Sequence, residues 1–395
     1  MAKVRVFAFL STLIIVVVFG VFASYYARGY RLNIRTMKFE PNGILVIKSE
    51  PDGASVYING DLKTATNATI SLSPGTYDIE VKKDGFFTWY KRMAIQKEIV
   101  TNADVSLFKT VPSLTPTTFF GAQNPVASKD GTKIAFVVPP TNNNQTDKEG
   151  LWTLDTFNFP LGFTNEPKRI TDGDLTSSNY RFSPDGRQIM LTTSSSSYIS
   201  NSIFILDSGS FTSQSQLVNV FGKNDTTLKD WATEMKTKNE SLTRNLPPEL
   251  NDMLMRRSSS FTFSPDDNMI MYTASSSGNL SENLIPQLPG SSTQKQNRDI
   301  QIGQTYVYDI KEDRNFLIGD STQTLRWMPD SRHLLLAQPN QVVVMDYDGT
   351  NKQVVYSGSY ASPFAFPFSN ATKLLILTNL GATTSSANLY TLTVK

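Results

Sequence analysis

The sequence predicts a mostly β chain in three parts. These are an N-terminal transmembrane helix with its cytoplasmic tip (residues 1–30), a small β-sandwich (43–109) and a β-propeller of about five blades (114–395). Three observations carry this reading. Residues 7–27 are apolar and uncharged, residues 43–109 alternate short β-like runs with turns, and a four-residue turn recurs beyond them. The turns read SKDG at 128–131, SPDG at 183–186, SPDD at 264–267 and MPDS at 328–331. A repeated supersecondary unit that cannot bury its own face implies an array.

The first run, FAFLSTLIIVVVFGVFASYYA, is long enough to cross a bilayer core, which takes about 20 apolar residues as a helix. Tyr25, Tyr26 and Tyr30 stand where an interfacial aromatic belt belongs. No face is polar, which argues against a helix buried in a soluble body. The rival is a cleaved signal peptide, since Val21 and Ala23 are small enough for cleavage before Ser24. The run exceeds the roughly 7–15 residues of a signal core, which favours a retained anchor. Lys3 and Arg5 precede it and Arg28, Arg31 and Arg35 follow, so charge alone does not orient it. The large polar body that follows is expected outside the cytoplasm of a cell whose membrane is crossed once.

Residues 43–109 hold five to six short strands punctuated by turns. Pro51-Asp52-Gly53-Ala54 is one turn, Asn59-Gly60 a strong hairpin signal, and Pro74-Gly75 another turn. The PDGA turn, VYING at 56–60, LSPGTY at 72–77 and KDGF at 83–86 together resemble the PEGA domain, with Asp52 where the family has Glu. The resemblance implies a surface-associated, non-catalytic β-module of bacterial or archaeal proteins, without active residues. Gly53, Gly60 and Gly75 are expected to supply backbone freedom.

Each later turn precedes a β-like run: KIAFVV, QIMLTT, MIMYTA and HLLLA. Third strands (LWTLDTF, SIFILDS, TYVYDIK, QVVVMDYDG) and fourth strands (PKRIT, QLVNVF, RNFLIG, KQVVYSG) follow, and four strands make a propeller blade. A fifth unit starts near residue 362 with a degenerate turn at 368–371. An aromatic residue, SPDG and an apolar strand resemble TolB-like, WD-like propeller repeats; Phe182, Ser183, Pro184, Asp185 and Gly186 match best. That resemblance implies protein or ligand binding. Asp130, Gly131, Pro265, Asp266, Pro329 and Asp330 belong to the same turns and are read as turn formers, not metal ligands. The fifth unit lacks a fourth strand after 388–394. Residues 114–120 are therefore expected to close the ring as its outermost strand, with Pro116 suited to an edge.

Two insertions break the spacing. Residues 224–257 place Leu228, Trp231, Ala232, Met235 and Leu242 near a helical period, and Pro247-Pro248 restarts a short helix. A lid packed on the propeller is expected, with a partner-docking element as the alternative. Residues 275–303 are rich in Ser, Asn and Gln and read as a mobile surface loop.

Charge and composition exclude several functions. The net charge is +2, but the first 40 residues hold six of the 37 basic and one of the 35 acidic residues. The remainder is near balance, so no nucleic-acid footprint exists. Cys is absent, and the single His, His333, reads as a partly exposed strand residue. No nucleophile elbow, zinc-protease motif, Walker loop or dinucleotide fingerprint occurs. Asp346-Tyr347-Asp348-Gly349 fits a hairpin better than a calcium loop. No catalytic residue, cofactor or metal is expected. The expected partners are the membrane, through the N-terminal helix, and a protein or glycan on the propeller. The function read from this is a membrane-anchored extracytoplasmic binding or scaffold protein, with the small module as a surface spacer. The alternatives are a propeller-type enzyme acting on envelope polysaccharide and a purely structural envelope protein.

Overall fold

In the computed structural model, residues 2–27, 30–33, 38–140, 148–157, 166–194, 201–286, 291–382 and 386–395 are described. The chain divides into two units: Met1–Leu107 with Gln287–Lys295, and Phe108–Pro286 with Gln296–Lys395.

In the first unit, Ala2–Ala27 form one helix, α1. Its stretch Phe9–Ala27 is long and apolar enough to cross a membrane and is not buried against protein. A two-stranded ribbon follows, Tyr30–Asn33 with Lys38–Pro41, which the turn pattern did not anticipate. Two sheets then enclose one core. The first runs in the order Ala68–Leu72, Gly43–Glu50, Val100–Ser106, the last two strands being parallel. The second runs Ser291–Ser292, Trp89–Ile95, Gly75–Lys82, Ser55–Ile58, Asp61–Ala65. Alternation puts Leu45 and Ile47 of one sheet, and Val56, Ile58, Ile79, Val81 and Trp89 of the other, into the shared core. Asn59 and Gly60 take φ of 50° and 85° between Ser55–Ile58 and Asp61–Ala65, as a two-residue hairpin requires. Gly53 is left-handed as well (φ 66°), and its N–H donates to the Thr66 carbonyl. Gly75 departs from expectation. It opens a strand outside the left-handed region, and a Cβ there would meet the Tyr77 side chain at 3.7 Å and the Ser73 carbonyl oxygen at 4.0 Å, both ordinary contacts.

The second unit is built of antiparallel sheets in chain order. Sheet one holds Gln123–Ala127, Lys133–Val138, Gly150–Asp155 and Lys168–Asp172. Sheet two holds Asn179–Phe182, Gln188–Ser194 and Asn201–Asp207, and sheet three Ser258–Phe263, Met269–Ala274, Gln304–Asp309 and Arg314–Asp320. Sheet four holds Thr324–Trp327, His333–Gln338, Gln341–Asp346 and Gln353–Ser357. Sheet five holds Ala365–Pro367, Lys373–Thr378 and Asn388–Thr393, and takes Ser113–Pro116 as its outermost strand. This is the blade construction of a β-propeller.

The second strand of each blade reads as a continuous apolar run because both its faces are covered. In blade one, Ile134 and Phe136 pack on Leu375 and Leu377 of blade five, while Ala135 and Val137 pack on Ile189 and Leu191 of blade two. Blades three and four meet through Val307, Phe316, Leu334 and Met345.

The closing strand starts one residue earlier and is shorter than 114–120. Its ladder runs from Ser113 opposite Thr393 to Pro116 opposite Tyr390, and Thr117 N–H continues to the Leu389 carbonyl at 2.8 Å.

Three expectations are corrected. Blade two has no fourth strand at QLVNVF among the described residues. The Asn219 side chain accepts the Ile203 N–H at 3.1 Å, taking the donor that a ladder would use, and only Val220 N–H reaches the Ile203 carbonyl. Residues 275–303 are not a structureless loop where they are described. Gly278–Asn279 pairs with Asp299–Ile300, and Leu280 and Ile300 are buried with Leu250, Met253 and Leu254. Residues 287–290 of that loop lie outside the described residues. His333 is buried, not partly exposed.

The helical insertion comprises α2 (Asn224–Thr243) and α3 (Pro248–Arg256). On α2, Leu228, Trp231, Met235 and Leu242 form a half-buried stripe, while Ala232 is exposed.

Candidate functional site

The recurring turns engage Asp130, Asp185, Asp266 and Asp330 in local structure. In SKDG, SPDG and SPDD the Ser hydroxyl donates to the Asp two residues on, at 2.6 Å each time (Ser128–Asp130, Ser183–Asp185, Ser264–Asp266). The same Asp accepts a backbone N–H two residues further, from Thr132, Arg187 or Asn268. For Asp185, the Ser183 hydroxyl first and the Arg187 N–H second hold the carboxyl below its usual range. Pro184, Pro265 and Pro329 occupy the second turn position. The fourth residue is left-handed every time: Gly131, Gly186, Asp267, Ser331 and, in the degenerate turn, Ala371, with φ between 55° and 70°.

Blade four departs from this pattern. Met328 stands where the other turns have Ser; Asp330 Oδ1 accepts the Arg332 and His333 N–H groups at 3.2 Å each, and Oδ2 turns inward. Oδ2 meets His333 Nδ1 at 2.8 Å and Lys395 Nζ at 3.4 Å, and His333 Nε2 faces Asp346 Oδ1 at 3.6 Å. The Phe108 ring stands edge-on to the imidazole, with Lys395 over its face. Burial alone would raise the Asp330 carboxyl. The hydrogen bond and charge of His333 and the charge of Lys395 more than offset it, and hold the carboxyl well below the usual range. A folded-state pKa below the unfolded one gives stability that is full above about pH 4 and is lost as pH falls through the folded value. Asp330→Asn should therefore lower stability at neutral pH by about 1–3 kcal/mol and flatten its decline in acid. Parallel acid-unfolding curves for the two proteins would exclude this role.

A groove between blades three and four is the best-formed candidate for a ligand. Register puts Ser260 opposite Thr273, Thr273 opposite Thr305, and Thr262 opposite Met271. Ser260, Thr273 and Thr305 thus form one cross-strand row of hydroxyls on the face turned to blade four. The hydroxyls of Thr273 and Thr305 lie 2.9 Å apart. Ser321, Gln323, Thr324 and Leu325 form the opposite wall of a space of about 350 Å³. The Gln323 amide oxygen is buried and meets no donor among the described residues. Its seat depends on Gly319, where a Cβ would lie 2.2 Å from that oxygen. Among the described residues no carboxylate, His, Lys or Arg lines the groove.

A second space, about 610 Å³, lies against Asn279, Ser281, Glu282, Gln296, Arg298 and Asp299. Its cation is already committed. Arg298 donates to Gln296, to the Ser281 carbonyl and to the Asp313 carbonyl, and pairs with the Asp313 carboxylate at 3.1 Å.

The sequence singled out the turn residues and missed this groove. Its residues span 259–325, and the hydroxyl row exists only once three strands pair. Of the four tryptophans, Trp89 is buried in the first unit's core, and Trp152, Trp231 and Trp327 are half-buried. Trp327 donates to the Thr262 carbonyl at 3.3 Å, tying the inner strands of blades three and four together beside the groove. Among the described residues no group of three or more His, Asp or Glu is placed to hold a metal ion.

Residues 42–110 match the PEGA domain. No curated protein sequence is significantly similar to the chain. Among solved structures it is similar to a protein described as TolB from Agrobacterium tumefaciens, at 15% identity over 68% of this chain and 78% of that one, with a TM-score of 0.22. TolB from Acinetobacter baumannii is similar at 14% identity over 80% of this chain and 59% of that one, also with a TM-score of 0.22. An acylaminoacyl peptidase from Pyrococcus horikoshii follows at 12% identity, over 71% of this chain and 39% of that one. At such TM-scores the likenesses carry no weight, and the propeller rests on the strand pairing described above.

Proposed function

We propose that this chain, which carries a PEGA domain at residues 42–110 behind an apolar helix, is a membrane-anchored binding protein of a cell envelope. In this reading α1 is a retained anchor, the PEGA domain a spacer, and the propeller the binding body, facing away from the cytoplasm. One observation supports binding over catalysis: the polar groups on the wall of the groove between blades three and four are hydroxyls and an amide, with no carboxylate, His, Lys or Arg among the described residues that line it. Hydrolysis of a glycosidic bond takes two carboxyl groups flanking the bond. A wall of neutral donors and acceptors with one unmet buried acceptor suits an uncharged ligand rich in hydroxyl and N–H groups, and a neutral glycan is the occupant we favour.

Ser260 is exposed and lies on the groove wall, so Ser260→Trp should fill the space without unfolding the blade. With the full chain in detergent, titration with an N-acetylglucosamine tetramer is expected to show binding that Ser260→Trp weakens at least tenfold, at an unchanged denaturation midpoint. Absence of binding, or equal binding by the variant, would remove the glycan reading. Loss in the variant of binding to extended peptides instead would move the site to a protein ligand.

A further inference from the structure

The cross-strand row on the wall of the groove has a fourth position. Register sets Thr305 opposite Gly319, so Ser260, Thr273, Thr305 and Gly319 share one face of blade three. The row thus ends on a residue without a side chain. Gly319 lies outside the left-handed region, so its backbone does not call for glycine. What the position requires is space. A Cβ there would collide with the Gln323 amide oxygen, and would lie 3.3 Å from Gln323 Cδ and 3.4 Å from Leu325 Cδ1. The Gln323 amide therefore takes the place of a side chain at 319 and completes the row.

The two ends of that amide differ. Oε1 faces Gly319 and is buried, whereas Nε2 makes no hydrogen bond to a described residue and is not enclosed. The open end is thus a donor only, beside hydroxyls that both donate and accept. Leu325 stands beside the same spot, and both residues line the groove. A donor next to an aliphatic side chain is the complement of a carbonyl oxygen that carries a methyl group. A plain sugar hydroxyl offers an acceptor and nothing to cover the leucine. An acetamido group offers both.

We propose that Gln323 reads an acetamido substituent of the ligand. Nε2 donates to the carbonyl oxygen, Leu325 packs on the methyl, and Gly319 leaves room for the amide to sit where it does. This recognition rests on the glycan reading of the groove, and the test separates the two. The full chain in detergent is titrated calorimetrically with tetramers of N-acetylglucosamine and of glucose that share one linkage. The unaltered chain is expected to bind the acetylated tetramer about tenfold more tightly or better. Gln323→Ala should bring the two tetramers within about twofold of each other, at an unchanged denaturation midpoint. Gly319→Ala keeps the glutamine but drives its amide from its seat, and should lose the same preference. The obstacle to that Cβ is the end of a flexible side chain, so the blade still folds. Equal affinity of the unaltered chain for the two tetramers, or a preference that survives in Gln323→Ala, overturns acetamido recognition and leaves a glycan groove. A preference kept in Gly319→Ala but lost in Gln323→Ala overturns the part given to Gly319. Binding of neither tetramer overturns the glycan reading and acetamido recognition together.

Discussion

Replacing Arg298 with methionine should lower the stability of the propeller unit by about 3–5 kcal/mol, the largest loss expected from a single side chain in it. Asp313, its partner, is fully buried, and Arg298 is only 10% exposed. The carboxylate also accepts the Tyr308 hydroxyl and the Leu284 N–H, so the pair joins blade three to the excursion that leaves it. Methionine keeps the length of the stem and removes the charge, leaving Asp313 as a buried anion without its cation. Chemical denaturation followed by tryptophan fluorescence reads the loss. Asp313 is left-handed (φ 50°), a conformation that Asn tolerates. Arg298→Met with Asp313→Asn should therefore regain a substantial part of the stability. A denaturation midpoint for Arg298→Met equal to that of the unaltered chain would show that the pair is immaterial.

Gly150→Ala should cost about 2–4 kcal/mol, through strain and overpacking together. Gly150 opens the third strand of blade one with φ at 138°, beside a register shift between Leu151 and Trp152. A Cβ there would lie 2.1 Å from the Thr171 carbonyl oxygen and 3.0 Å from the Asp172 Cα. Both obstacles are backbone of the paired strand, so no rotamer change relieves them. Gly222→Ala is the control: its Cβ meets nothing within 4 Å, and its φ is outside the left-handed region. The control should stay within about 0.5 kcal/mol. Equal thermal midpoints for the two variants would mean that the bulge adapts freely.

How much of this could be read from the residues follows from the range over which each feature is determined. The turns were legible because a Pro, an Asp and a left-handed residue act within four positions, and a backbone bond from the fourth residue to the first closes each turn. The fifth turn has the same bond and the same left-handed residue, but Ala371 conceals it, since nothing in an alanine advertises positive φ. The closing strand was legible by counting, because an unfinished last blade and a spare β-like segment before the first one imply each other.

Features set by distant partners were not legible. The Asn219 side chain cancels the fourth strand of blade two by taking a backbone donor that hydrophobic patterning cannot see. The polar composition of 275–303 reads as a loop, yet Leu280, Ile300 and Arg298 find partners on α3 and blade three that order it. His333 looked like an ordinary strand residue. It is buried where Asp330 Oδ2 meets both the ring and Lys395, the latter 65 residues further along the chain. The groove is a row of unremarkable Ser and Thr until strand register aligns them. Local conformational demand is written in neighbouring residues. The fate of a polar group is decided by whichever side chain the folded sheets bring to it, and only the tertiary structure identifies that partner.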